Sequence, residues 1–188
     1  MRTLLFRSLI ATPLSQPLPP GPEVALDTLA TCLDGAARRR LGRSLAIRAL
    51  DAGSCNGCEL ELNALSNAFY DLERFGLRFV ASPRHADVLL VTGPVTANMR
   101  EALARTYQAM PGPKWVVAAG ACAIDGGAFA GSYAVLGGTA AVVPVDLRLP
   151  GCPPRPHELL RGLLALMDPP RRHDAGDPPG DRAAPRSA

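Results

Sequence analysis

Between residues 44 and 167, five short apolar runs alternate with segments of helical period, and this alternation narrows the possible folds more than any other feature of the chain. The runs are LAIRAL (45–50), LRFVA (77–81), VLLVT (88–92), WVVAA (115–119) and VVPVDL (142–147), mostly closed by Gly, Pro or Asp. Near-continuous apolarity predicts strands covered on both faces. Residues 59–72 place Leu62, Leu65, Phe69 and Leu72 on one helical stripe; residues 97–110 do so with Leu103, Tyr107 and Met110, and residues 158–167 close the pattern. Strand and helix in alternation predict a three-layer α/β domain, flavodoxin-like, with a mostly parallel sheet, right-handed crossovers and helices on both faces.

The flanks differ in kind. Residues 1–22 carry five prolines and no regular period, which predicts an extended arm. Arg7 interrupts its apolar stretch and no small-x-small cleavage site follows, so the arm is expected to be retained rather than removed as a signal peptide. Residues 23–41 have helical spacing, with acids early and Arg38, Arg39 and Arg40 late, as the helix dipole favours. Residues 168–188 hold five prolines, no aromatic and no apolar side chain larger than alanine apart from proline, which predicts a disordered tail. The expected division is therefore an arm and short helix over 1–43, an α/β domain over 44–167 and a tail over 168–188.

Charge and composition exclude several functions. The formal net charge is +3, yet residues 44–167 balance ten bases against ten acids. A neutral domain without a basic stripe interleaved with aromatics does not suit nucleic acid. The run Arg38 to Arg40 reads as a solvated helix end. No apolar run approaches the ~20 residues that cross a bilayer. No Gly-x-Gly-x-x-Gly opens a helix after a strand, so no dinucleotide site is expected. Five unevenly spaced cysteines do not make a secreted disulfide framework, and a reducing compartment fits better.

Four of those cysteines follow strands. Cys55 and Cys58 come after the first run in DAGSCNGC, Cys122 after the fourth in GACAIDGG, and Cys152 after the fifth in LPGCPP. In an open parallel sheet the carboxyl ends of the strands share one rim, so thiols distant in sequence can converge there. Glycines in each loop would let backbone amides approach a buried anion such as inorganic sulfide. Four converging thiolates call for a soft metal centre, either a 4Fe-4S cluster or a structural zinc. Zinc sites generally draw cysteines from two close pairs, whereas here one pair is followed by singles 64 and 30 residues later. A thioredoxin-like redox pair at Cys55 and Cys58 is a third reading, and it leaves Cys122 and Cys152 unexplained. Cys32 is expected to fill a small space in the core.

The stretches DAGSCNGCELELNAL, ERFGLRFVASPRHADVLLVTGPVT, PKWVVAAGACAIDGG and VPVDLRLPGCPPRPHELLRGLL, in that order, resemble the cluster-bearing small subunit shared by membrane-associated nickel-iron hydrogenases and respiratory complex I. The complex I branch usually shows two adjacent cysteines at the first site. Here two residues separate Cys55 from Cys58, which favours the group 4 hydrogenase branch, of formate hydrogenlyase and hydrogenase-4 type. The resemblance implies that Cys55, Cys58, Cys122 and Cys152 bind one 4Fe-4S cluster. It also implies that Glu61 matches an acidic position of a Cys-x-x-Cys-x-x-Glu pattern, open to proton transfer, although the helix dipole alone favours acids at Glu59 and Glu61. Arg84 and His85, in the segment Ser-Pro-Arg-His, match a loop expected near the cluster.

The implied role is that of a non-catalytic electron-transfer subunit of an oxidoreductase, with no nickel, flavin or nucleotide of its own. Electrons would pass between a large subunit holding the nickel-iron site and a ferredoxin-like iron-sulfur subunit, beside membrane subunits. The chain would sit peripherally on the cytoplasmic face of the cell membrane. The alternatives are a complex I-like NADH/quinone module lacking nickel and a zinc-stabilised interaction protein.

Overall fold

The computed structural model describes residues 24–167. The arm expected over 1–22 and the tail expected over 168–188 lie outside the described residues. The chain forms α1 (Val24–Leu41), β1 (Ala46–Asp51), α2 (Gly57–Ala64), β2 (Arg78–Phe79), β3 (Val88–Thr92), β4 (Val95–Thr96), α3 (Arg100–Ala109), β5 (Trp115–Ala119), α4 (Ala121–Asp125), β6 (Val135–Gly137), β7 (Leu147–Leu149) and α5 (Pro156–Met167).

Five strands form a parallel sheet in the order β2-β1-β3-β5-β7. Counted along the parallel strands alone this is 2-1-3-4-5, the doubly wound order expected of a flavodoxin-like fold. β3 is central, and all five of its residues are buried because both faces of the sheet are covered. Its side chains divide with a period of two. Val88 and Leu90 join Leu33, Ala36 and Ala37 of α1, Leu62 of α2, and Leu159, Leu160 and Leu163 of α5. Leu89 and Val91 join Leu103 of α3 with Val116 and Val143 on the opposite face. The three layers follow from that division. β4 and β6 pair separately as an antiparallel ribbon.

α1 is tied into the domain at its basic end. Arg40 donates to the Leu166 carbonyl at 2.6 Å, at the last turn of α5, and lies over the Trp115 ring. A cation at a helix carboxyl end is favourable. Arg38 pairs with Asp34 one turn earlier. The run that reads as a solvated helix end thus also anchors α1, through Arg40. Arg43 then pairs with Asp87, whose second oxygen accepts the Ala46 amide at 3.0 Å. Asp87 is buried.

Two elements differ from the sequence expectation. The helix expected over 59–72 ends at Ala64. The Asn67 side chain accepts the amides of Phe69 and Tyr70, an Asx turn that competes with helix, and Asp71 takes a left-handed φ of 43°. Phe69 is therefore 71% exposed rather than on the stripe, while Leu72 is buried from a separate 3-10 turn. The strand expected over 142–147 begins only at Leu147. Pro144 lacks an amide to pair, and the ladder to β5 opens at Asp146, whose amide donates to the Val116 carbonyl and whose carboxylate accepts the Val116 amide. Cys32, expected in the core, is exposed: on α1 the buried face is Ala30, Leu33, Ala36 and Ala37, and Cys32 falls beside it.

Candidate metal centre

Four of the five strands of the sheet, β1, β3, β5 and β7, end level with one another. Asp51 pairs with Thr92, Thr92 with Ala119, and Ala119 with Leu149. The loops that leave this rim from β1, β5 and β7 carry Cys55 and Cys58, Cys122, and Cys152 respectively. The rim lies beside the point between β1 and β3 where the strand order reverses, the usual place for a site in such sheets.

Each loop is built by local bonds. The Asp51 carboxylate accepts the amides of Gly53 and Ser54, both at 2.7 Å, and turns the chain out of β1. The Ser54 hydroxyl accepts the Asn56 amide at 3.0 Å and donates to Glu59 Oε2 at 2.5 Å. At Gly93, with φ of 72°, a Cβ would stand 2.5 Å from the Ser54 nitrogen, so the exit of β3 needs glycine if the cysteine loop is to lie against it. The loop after β5 is bonded to the loop after β7, since the Gly120 amide donates to the Leu149 carbonyl and the Ala121 amide to the Gly151 carbonyl, both at 2.8 Å.

The thiols are carried by these loops at one rim of the sheet. Burial pushes the Cys58 thiol up to about 11, and the charges of Glu59, Cys122, Cys55 and Cys152 act on it in the same direction. Cys58 and Cys122 are half-buried, and Cys55 and Cys152 are exposed. Two glycines leave room for the sulfurs. A Cβ on Gly120 would stand 2.7 Å from Cys58 Sγ, and one on Gly127 2.8 Å from Cys122 Sγ. Among the described residues, no three His, Cys, Asp or Glu side chains are grouped to hold a single metal ion. Four soft thiol donors on a rim with glycine in each loop are the donor set of a thiolate-bound metal centre, either an iron-sulfur cluster or a structural zinc.

The structure places the four cysteines on loops of one rim, and with them an acid that the sequence did not single out. Glu59, not Glu61, bonds to the cysteine loop, and the serine at position 54 was the signal that could have marked it. Glu61 is half-buried on α2, three residues past Cys58. Arg84 and His85 are exposed on the 3-10 turn Pro83–His85. That turn leads into Val88, which is level with Ile47, whereas the rim is level with Thr92. Four strand residues, about 13 Å, separate those levels. The structure thus does not gather Arg84 and His85 with the thiols. Large apolar side chains are exposed close in sequence to the cysteines: Leu60 after Cys58, and Phe129, Tyr133 and Leu136 after Cys122.

Residues 55–166 match the family described as NADH ubiquinone oxidoreductase, 20 Kd subunit. Formate hydrogenlyase subunit 7 of Escherichia coli is 46% identical over 129 residues, which are 69% of this chain and 51% of that protein. The probable membrane-bound hydrogenase subunit mbhJ of Pyrococcus furiosus is 44% identical over 68% of this chain and 77% of its own length. An NADH-quinone oxidoreductase subunit of Rubrobacter xylanophilus is 52% identical over 111 residues, which are 58% of this chain and 44% of that protein. The chain thus spans about half the length of some of these relatives. A subunit in the structure of the membrane-bound sulfane sulfur reductase, an archaeal respiratory membrane complex, superposes with a TM-score of 0.60 at 36% identity, covering 73% of this chain and 74% of that one. The match begins at the first rim cysteine and runs through the last helix, so the chain belongs to the NADH ubiquinone oxidoreductase 20 Kd subunit family, together with the small subunits of membrane-bound hydrogenases.

Proposed function

We propose that this chain is the electron-transfer small subunit of a multisubunit, membrane-associated nickel-iron hydrogenase, and that Cys55, Cys58, Cys122 and Cys152 bind one 4Fe-4S cluster. The observation that supports this reading is that the three loops bearing these cysteines leave one rim of the parallel sheet. Bound there, such a cluster takes up and releases single electrons. The chain's own residues supply the site. The thiols give up their protons to become ligands, Asp51, Ser54 and Glu59 hold the turn that bears the first pair, and Gly120 and Gly127 keep a Cβ away from the sulfurs. Glu61 enters the reading as the carboxylate for proton transfer on the same helix. Arg84 and His85 have no part in it.

The partners in this reading are a large subunit holding the nickel-iron site, a ferredoxin-like subunit that carries electrons onward, and membrane subunits. Exposed Leu60, Phe129, Tyr133 and Leu136 offer such partners apolar surface. Among the described residues no helix is long and apolar enough to cross a membrane, so attachment to the cytoplasmic face would come through the partners.

A second reading, a quinone-type module without nickel, is favoured by the 52% identity to an NADH-quinone oxidoreductase subunit. The two residues between Cys55 and Cys58 favour the hydrogenase. Metal analysis of the complex recovered anaerobically through a tag on this chain tests both. Nickel at about one per complex with abundant iron supports the hydrogenase, and iron without nickel after competent maturation moves the function to the quinone-type module. A colourless protein with stoichiometric zinc overturns the cluster itself.

A further inference from the structure

Glu59 stands at the junction of the cysteine loop and α2. Its Oε2 accepts from the Ser54 hydroxyl, the same hydroxyl accepts the Asn56 amide, and the Ser54 amide is held by Asp51. One carboxylate, acting through one hydroxyl, thereby fixes the backbone on both sides of Cys55. The other oxygen, Oε1, is buried and accepts no hydrogen bond from the described residues. A charge in a partly desolvated site acts more strongly on its neighbours than in water. Cys58 is the next residue before it.

We propose that Glu59 is a positioning residue that fixes the ligand loop and holds the potential of the centre bound there low. The carboxylate fixes Ser54 and through it the turn that bears Cys55. Its negative charge beside Cys58 disfavours the reduced form of the centre, which carries one more electron. This inference rests on the cluster reading above, and it separates two effects of one side chain, a tether and a charge.

Three variants of the complex, purified anaerobically through this chain, separate them. Glu59→Gln keeps an oxygen that accepts from Ser54 and removes the charge. Ser54→Ala removes the tether and keeps the charge, and Glu59→Ala removes both. The readouts are an EPR-monitored redox titration and the rate at which iron is lost to a chelator. Glu59→Gln is expected to retain iron like the parent complex with a midpoint potential shifted to more positive values. Ser54→Ala and Glu59→Ala are expected to lose iron about ten-fold faster, the scale on which outer partners of metal ligands act. A parent complex without an iron-sulfur signal overturns the cluster reading. A parent complex with the signal, whose Glu59→Gln potential is unchanged or lower, or whose Ser54→Ala variant keeps iron as well as the parent, overturns this inference alone.

Discussion

The sulfur of Cys58 lies against the backbone of Gly120, so closely that a Cβ on Gly120 would stand 2.7 Å from Sγ. Gly120 also has φ of 94°, a conformation that side chains with a Cβ rarely adopt. Two residues distant in sequence thereby set how near the β1 loop can come to the β5 loop. Gly120→Ala is expected to remove most of the iron from the purified complex. Gly42→Ala is the control: Gly42 has φ of 70° and nothing within 4 Å of an added Cβ, so it carries the backbone penalty without the contact. Iron per chain equal in the two variants would show that the approach of Cys58 to Gly120 does not matter.

Asp87 is a buried carboxylate with two jobs. It pairs with Arg43 at the exit of α1 and accepts the Ala46 amide at the start of β1. Asp87→Ala leaves a buried amide without its acceptor, and a loss of about 2 kcal/mol is expected. Half of Arg43 remains in solvent, which limits the contribution of the ion pair itself. A lowered thermal midpoint with iron content unchanged at low temperature is the expected result, because Asp87 enters at the amino end of the sheet, opposite the rim.

The sheet and the cysteine rim were legible because they are written in local signals. Strands such as VLLVT and WVVAA are apolar at nearly every position, and each cysteine sits a few residues beyond a strand. What escaped is set by contacts between elements or by single side chains. The Asn67 side chain ends α2 early, and Pro144 with Asp146 shifts β7 by several residues. Neither effect alters apolar periodicity, so the pattern ran on through both. Arg84 and His85 were placed near the thiols by resemblance, and only the register of β1 with β3 shows the turn entering at the level of Ile47. Glu59 and Glu61 are equivalent to any argument from helix dipoles. The Ser54 hydroxyl distinguishes them.

Gly162 lets α5 lie on β7. A Cβ there would overlap Leu149 Cδ2, and Leu149 is the last strand residue before the loop that carries Cys152. Gly162→Ala gains about 1 kcal/mol of helix propensity and loses about 1–3 kcal/mol to overpacking. A small net loss of thermal stability is expected, because the Leu149 side chain can turn aside. Gly162→Leu cannot be accommodated that way and is expected to release iron as well, read as iron per chain after chelator treatment. An unchanged thermal midpoint in Gly162→Leu would show that α5 is free to move off the sheet.

In the metal-free protein, Cys58 sets a pH dependence whose direction is fixed by its environment. Burial and then the neighbouring Glu59 and thiols push its thiol up from 9.0 to about 11. An unfolded chain therefore loses this proton near pH 9 while the folded chain keeps it. The unfolded state binds fewer protons in that interval, so the contribution of Cys58 to stability is full below pH 9 and falls as pH rises toward 11. Reactivity follows the same order, since the thiolate is the nucleophile. With iodoacetamide at about pH 8, exposed Cys55 and Cys152 are expected to be modified well before half-buried Cys58, and the Cys58 rate is expected to climb steeply between pH 9 and 11. Peptide mapping by mass spectrometry follows each cysteine separately. Cys58 modified as early as Cys55 under the milder condition would show that the metal-free rim does not hold Cys58 beneath Gly120.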